Sequence, residues 1–167
     1  DAVWLAFILL YTFIIGYRLE VGGDWQSYLN WFQRSNAMSF AGVLVERDPG
    51  YMLVNWFSRQ LGWGIWGVNL FCGLTFMLGL ALFSRSLPRP WIAVTVAIPY
   101  LFTVVAMGYS RQGVALGFVM VALVFLRRAR YGWVVFWILV GATFHQSTVL
   151  ILPIAVLAAT RNRLAIA

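Results

Sequence analysis

Long charge-free stretches, cut by short turns that carry arginine, set the pattern of this chain. Residues 2–17 and 61–84 contain no charge, residues 90–126 contain one, Arg111, and residues 131–160 contain no formal charge. About 20 apolar residues cross the hydrocarbon core of a bilayer as a helix. The first two stretches each fit one crossing. Residues 90–126 are too long for one and fit two, with a tight turn near positions 108–112. Residues 131–160 would form a single helix about 45 Å long against a core of about 30 Å. They are either one steep helix or two short ones that break around His145.

The segment between the first two stretches, residues 18–60, has a different texture. Gly22-Gly23 makes a turn, and Asp24 is a favourable N-cap for a helix beginning at Trp25. Trp25, Tyr28, Leu29 and Phe32 recur at helical spacing, with Trp31 beside them, which predicts a short amphipathic helix lying in the headgroup region. A polar stretch occupies positions 33–39. Glu46-Arg47-Asp48-Pro49-Gly50 then forms a charged turn before residues 51–56 lead back towards the second apolar stretch.

Composition excludes the soluble alternative. The chain is 62% hydrophobic and 10% charged over 167 residues, whereas soluble domains run nearer half apolar and a quarter charged. The expected fold is all-α: one polytopic membrane helical bundle spanning 1–167, with about six spans that include short hairpins. All 12 basic residues are arginine, and the five acids all fall within the first 48 positions. Arg85 and Arg89, then Arg127, Arg128 and Arg130, then Arg161 and Arg163 form acid-free clusters that the positive-inside tendency places in the cytoplasm. Consecutive inside clusters require an even number of crossings between them, so both chain ends fall inside and residues 18–60 form an extracytoplasmic loop. The arginines therefore report topology in a membrane, not a nucleic-acid face. The chain opens on Asp1, and its first apolar run has no basic flank, unlike a signal peptide. It reads as part of something longer. Cys72 stands alone in an apolar stretch and is expected to pack.

The same parity argument gathers the chemistry on one side. Arg18, Asp24, Glu46, Asp48, Arg59, Arg111, Gln112, His145 and Ser147 all fall at the outer surface. Ionisable groups at membrane depth are costly, so function is the first hypothesis for them. Each also has a plainer reading: Arg111 snorkelling to headgroups, His145 packing between helices, Asp24 capping, and Glu46 and Asp48 solvated in a turn. There is no G-x-S-x-G elbow, no lysine for a phosphate loop, and one histidine with no cysteine near it for zinc. No metal and no cofactor are expected. A Ser-His pair through Ser147 or Ser110 stays open, although no spacing singles it out.

Four elements in order resemble a known family. Gly22-Gly23-Asp24-Trp25-Gln26-Ser27-Tyr28 resembles a G-x-D-x-x-x-Y signature, and Asp48-Pro49-Gly50-Tyr51-Met52-Leu53 resembles an E-P-G-[YF]-x-L turn. Ser110-Arg111-Gln112-Gly113-Val114-Ala115 resembles S-R-Q-x-x-A, and Ala142-Thr143-Phe144-His145-Gln146-Ser147 resembles A-x-x-F-H-x-S. Together, over residues 18–153, they resemble the EpsG family, Wzy-like membrane proteins of bacterial exopolysaccharide, capsule and O-antigen assembly. Members of that family are typically longer, with more spans. Where the family has Glu before Pro-Gly this chain has Asp48, with Glu46 two residues upstream, so either carboxylate fits.

The resemblance implies a glycosyltransferase-type polysaccharide polymerase. It would act on polyprenyl-pyrophosphate-linked oligosaccharides at the outer face of the inner membrane, alongside a chain-length regulator and a flippase. Arginine forks suit a pyrophosphate leaving group, so Arg18 and Arg111, with Gln112, are the expected pyrophosphate ligands. Asp24, Asp48, Glu46 or His145 would accept the proton of the attacking sugar hydroxyl, with Tyr28, Tyr51 and Ser147 in support. Two other readings are a lipid-linked oligosaccharide transporter using the same arginines, and a membrane acyltransferase using His145 as base. The first would need polar groups continuing to the inner face, and the second a path to a cytoplasmic acyl donor.

Overall fold

A computed structural model describes residues 2–164, with side chains through Leu157. Among the described residues the chain is helical and has no strand. The helices are α1 (Ala2–Gly16), α2 (Trp25–Arg34), α3 (Phe40–Leu44), α4 (Pro49–Gln60), α5 (Gly64–Arg85), α6 (Pro90–Ala97), α7 (Ser110–Arg127), α8 (Tyr131–Ala142) and α9 (Ile151–Leu164). A π-helical stretch, Ile98–Ala106, continues α6, and a 3-10 turn, Gln146–Leu150, precedes α9.

Local chemistry explains most of the boundaries. Pro49 and Pro90 occupy the first turns of α4 and α6, where a missing N–H costs nothing. Ser39 caps α3 by accepting from the Gly42 N–H at 3.2 Å. Asp24 occupies the N-cap position of α2, but its side chain makes no capping hydrogen bond there. The expected capping role is therefore positional only. The two readings of residues 131–160 are resolved in favour of a break: α8 ends at Ala142, and His145 is extended at φ −154°.

α5 and α7 are long and apolar enough to cross a membrane, and α1, the α6–π rod, α8 and residues 146–157 are shorter apolar segments. α5 is the central helix, packed against α1 on one side and α7 on the other, and α7 also packs on α8. The α5–α7 crossing is close because Gly79 and Gly117 face each other. A Cβ on Gly117 would lie 2.6 Å from the Thr75 carbonyl oxygen and 2.9 Å from Phe76 Cα. Small residues permitting backbone approach are how helices associate without a hydrophobic drive from water. Gly117→Leu is therefore expected to lower stability by about 1–3 kcal/mol, the range for overpacking, read as a lower melting temperature in detergent micelles.

One buried cluster fills the middle of the bundle, with Ile15, Phe76, Met77, Leu80, Phe102 and Met120. A second sits at the end where α2 and α4 lie, with Tyr28, Tyr51, Val68, Cys72, Val114 and Phe144. The apolar face of α2 turns onto this second cluster, where Trp25, Leu29, Trp31 and Phe32 pack. Around the bundle, large apolar side chains face outward, among them Leu5, Phe13, Leu82, Phe136 and Leu139, each between 47% and 58% exposed. Such a surface suits lipid, not water. Arg161 and Arg163, the third expected cytoplasmic cluster, have side chains outside those described.

Candidate active site

Three chain segments converge beneath α2: the acidic turn before α4, the start of α7, and the break between α8 and α9. The acidic turn and the break are stapled together. The Gly50 N–H donates to the Thr143 carbonyl at 2.9 Å, and any Cβ at position 50 would strike Thr143 and come within 2.9 Å of the Phe144 ring. Arg47 Nε donates to Gln146 Oε1 at 3.1 Å, and Gln146 Nε2 returns a bond to the Arg47 carbonyl at 3.0 Å.

Those ties carry Asp48 to Arg111. The Arg111 guanidinium donates to Asp48 Oδ2 at 2.8 Å, with Asp48 2% exposed and the arginine side chain 23% exposed. It lies 4.0 Å from the Trp31 ring centroid and 6.0 Å from that of Tyr28, so one planar cation is gripped by a carboxylate and an aromatic face. Asp48 Oδ1 is buried and has no protein partner. The pair is therefore held with one carboxylate oxygen uncommitted.

His145 belongs to the same electrostatic group. Burial lowers its pKa below the ordinary 6.5, Asp48 pulls it up, and Arg111 and Arg47 push it down, for a net lowering. The imidazole is thus neutral at pH 7 and ready to take a proton. With Gln112 and Ser147 it lines a cleft of about 280 Å³ whose other walls are largely apolar. The Tyr28 phenol is raised to about 12, chiefly by burial and next by Asp24, against the opposing pull of Arg111. It stays protonated.

The remaining expected site residues are placed differently. Arg18 is 4% exposed and lies inside the bundle. It donates to the carbonyls of Ala106 at 3.0 Å and Ile15 at 3.3 Å, to Asn69 Oδ1 at 3.4 Å, and to Ser110 Oγ. It is a strut under the first turn of α7, next to Arg111, and not an open cation. Glu46 pairs with Arg34 at 2.7 Å on the exposed side of residues 18–60, and not with Arg111. Asp24 is half-buried at the start of α2, where its charge acts on Tyr28. Tyr51 is fully buried, with its ring 5.8 Å from both Tyr28 and Trp31. Arg59 reaches out to Asn36 Oδ1 at 2.5 Å and lies over the Phe32 ring.

Trp31, Asn69 and Ser110 carry more of the geometry than their sequence context announced. Asn69 had a readable signal, as a fully buried amide inside an otherwise apolar span. Trp31 had none that set it apart from its aromatic neighbours. Among the described residues no three His, Cys, Asp or Glu side chains come together as a metal site would require.

The sequence model of the EpsG family matches residues 1–167, the whole chain. The chain belongs to the EpsG family. That family is Wzy-like and associated with polysaccharide polymerisation in a lipid-linked oligosaccharide context, and with the apolar helices it is consistent with a membrane protein. No curated protein and no solved structure matches the chain significantly. Three of the four family-like elements meet at the Arg111 pair: Asp48-Pro49-Gly50, Ser110-Arg111-Gln112 and Phe144-His145. The fourth supplies Tyr28 above it.

Proposed function

We propose that this EpsG-family chain transfers a growing glycan between polyprenyl-pyrophosphate-linked oligosaccharides at the outer face of the bacterial inner membrane. The observation that carries the reading is the Asp48–Arg111 pair, held at 2.8 Å beside a neutral histidine at the end of an apolar bundle. In this reading Arg111, with Gln112, takes the pyrophosphate and stabilises the charge that grows on it as the bond from the anomeric carbon breaks. The acceptor hydroxyl forms the new bond to that carbon and gives its proton to His145 or to the free oxygen of Asp48. The lipid pyrophosphate departs as the leaving group. Asp48, rather than Glu46, serves as the carboxylate because Glu46 is engaged by Arg34. Arg18 acts from beneath by holding Ser110 in place.

The same proposal includes the orientation. α1, α5, the α6–π rod, α7, α8 and α9 act as six spans with both ends cytoplasmic, and residues 18–60 lie outside with α2 near the headgroups. Each of α7 and α8 runs between an arginine cluster and the site. Arg127 ends α7 and Arg130 precedes α8, while Ser110 and Ala142 are their site-side ends. That polarity supports the positive-inside assignment.

Elongation of a purified lipid-linked repeat unit in proteoliposomes tests the reaction, and its pH profile tests the base. Because the folded-state pKa of His145 is depressed, its neutral form is complete above the ordinary value of 6.5 and is lost only as pH falls through the lower folded value. Elongation should therefore show an acid limb centred below 6.5, and His145→Gln should lower the rate by about 10²-fold and remove that limb. An unchanged limb in the variant would remove His145 from the role of base.

A further inference from the structure

Two cavities meet along one flank of α7. The outer one, about 280 Å³, is the cleft of Gln112, His145 and Ser147. The inner one, about 780 Å³, runs between α5, α6 and α7 as far as Arg89 at the opposite end. Both are walled by Leu101 and Leu116, so they adjoin at those two side chains and together make a groove along α7. Along α7 its floor is Gln112, Ala115, Leu116, Val119, Met120 and Leu123. That spacing is one helical face, about 16 Å long at 1.5 Å per residue.

The facing wall explains why the groove stays open. α6 packs on α5 and scarcely meets α7, whereas the π stretch beyond it packs against α7. Pro99 has no N–H to give to the preceding turn, which loosens the helix there, and the Thr103 hydroxyl donates to the carbonyls of Ile98 at 2.5 Å and Pro99 at 3.0 Å. Such widened turns recur at functional sites. Polarity is graded along the groove: amide, imidazole and hydroxyl at the mouth, aliphatic walls through its length, and exposed Arg89 at the far end. A further cavity, about 640 Å³ between α1 and α5, is lined by none of these site residues.

We propose that this groove holds the isoprenoid tail of a polyprenyl pyrophosphate, with the pyrophosphate at the mouth beside Arg111. The assignment rests on the polymerase reading and adds where the lipid lies. A ligand whose anion sits at Arg111 must lead its tail away through apolar surroundings, and this groove is the apolar passage that begins at the neighbouring Gln112. Only apolar contact is needed within it, so affinity should grow with chain length.

The test uses the protein in proteoliposomes and a polyprenyl pyrophosphate carrying a photoreactive diazirine on its terminal isoprene. Mass spectrometry should find the label on Val96, Met120 or Leu123. Unlabelled polyprenyl phosphate should displace it, and a short-chain prenyl pyrophosphate should do so at least about tenfold less well, since each buried methylene adds affinity. Ala93→Phe, which fills the inner reach, should remove the labelling. Leu78→Phe, on the exposed face of α5, should leave it intact. Label scattered over the exposed faces of α1 and α8, or displaced equally well by bulk phospholipid, would overturn the proposal. A labelled groove in a protein that elongates no lipid-linked repeat would retain the tail site and remove the polymerase reading. Elongation with the label elsewhere would do the reverse.

Discussion

Arg111→Lys is expected to stop polymer elongation while the protein still folds. The guanidinium makes two contacts that a lysine ammonium does not reproduce together with binding of an anionic ligand: the hydrogen bond to Asp48 at 2.8 Å and the face of Trp31 at 4.0 Å. Lysine keeps the charge but loses the planar fork, so it satisfies Asp48 or the ligand and not both. Removing one preorganised donor from a developing anion costs about 10²–10³ in rate, and Arg111→Lys should fall in that range. Its melting temperature should stay near that of the parent, because a cation remains beside the buried carboxylate. Arg111→Met separates the two roles. It should lose elongation equally and also lose stability, by about 3–5 kcal/mol, because Asp48 is left buried and unpaired. Repeat-unit elongation on gels, with thermal unfolding in detergent, reads both. Normal chain length in Arg111→Lys would return this residue to headgroup snorkelling.

Arg18→Leu is expected to destabilise the fold about as strongly as Arg111→Met. Its loss takes a charged donor from the buried Ala106 and Ile15 carbonyls and leaves Asn69 Oδ1 and Ser110 Oγ to each other at 3.4 Å. Each unsatisfied buried acceptor costs about 1–3 kcal/mol, so a total of at least about 3 kcal/mol is expected. Arg18→Lys should recover part of it, because an ammonium reaches some of those acceptors but lacks the fork that spans α1, α5 and α7. The fold-dependent readouts are melting temperature and the monodisperse fraction in gel filtration. If Arg18 were instead a pyrophosphate ligand, the variants would melt normally and show a raised KM for the lipid-linked donor. The two outcomes separate a strut from a binding residue.

The arginine that the apolar pattern left most conspicuous, Arg111, is the one that pairs with buried Asp48. Arg18 was equally legible as a charge beside an apolar run, yet its side chain is buried between helices. The difference is invisible in one dimension. Both arginines end or begin apolar runs, and only the packing of α1 against α5 and α7 decides that Arg18 meets Asn69 and Ser110. The choice between Glu46 and Asp48 rests on the same logic. The two stand two residues apart, and the tie from Gly50 to Thr143 directs Asp48 inward while Glu46 meets Arg34. The π stretch was also hidden, because Pro99 within an apolar run announces a disturbance but not whether the helix bends, breaks or widens.

The helical layout was legible because it depends on quantities that one residue carries alone. The length of each apolar run, the prolines at helix starts and the arginines at turns act locally, through hydrogen-bond satisfaction and the cost of charge in an apolar medium. Helix limits, the hairpin near position 108 and the gathering of polar residues at one end are therefore readable from the chain in order. Which of those polar residues touch is a matter of relative rotation and close approach. Gly79 against Gly117, Gly50 against Thr143 and Trp31 over Arg111 are pairwise contacts between segments distant in the chain. They exist only once the helices are packed. For that reason the carboxylate partner of Arg111, the interior role of Arg18 and the groove beside α7 belong to the tertiary structure alone.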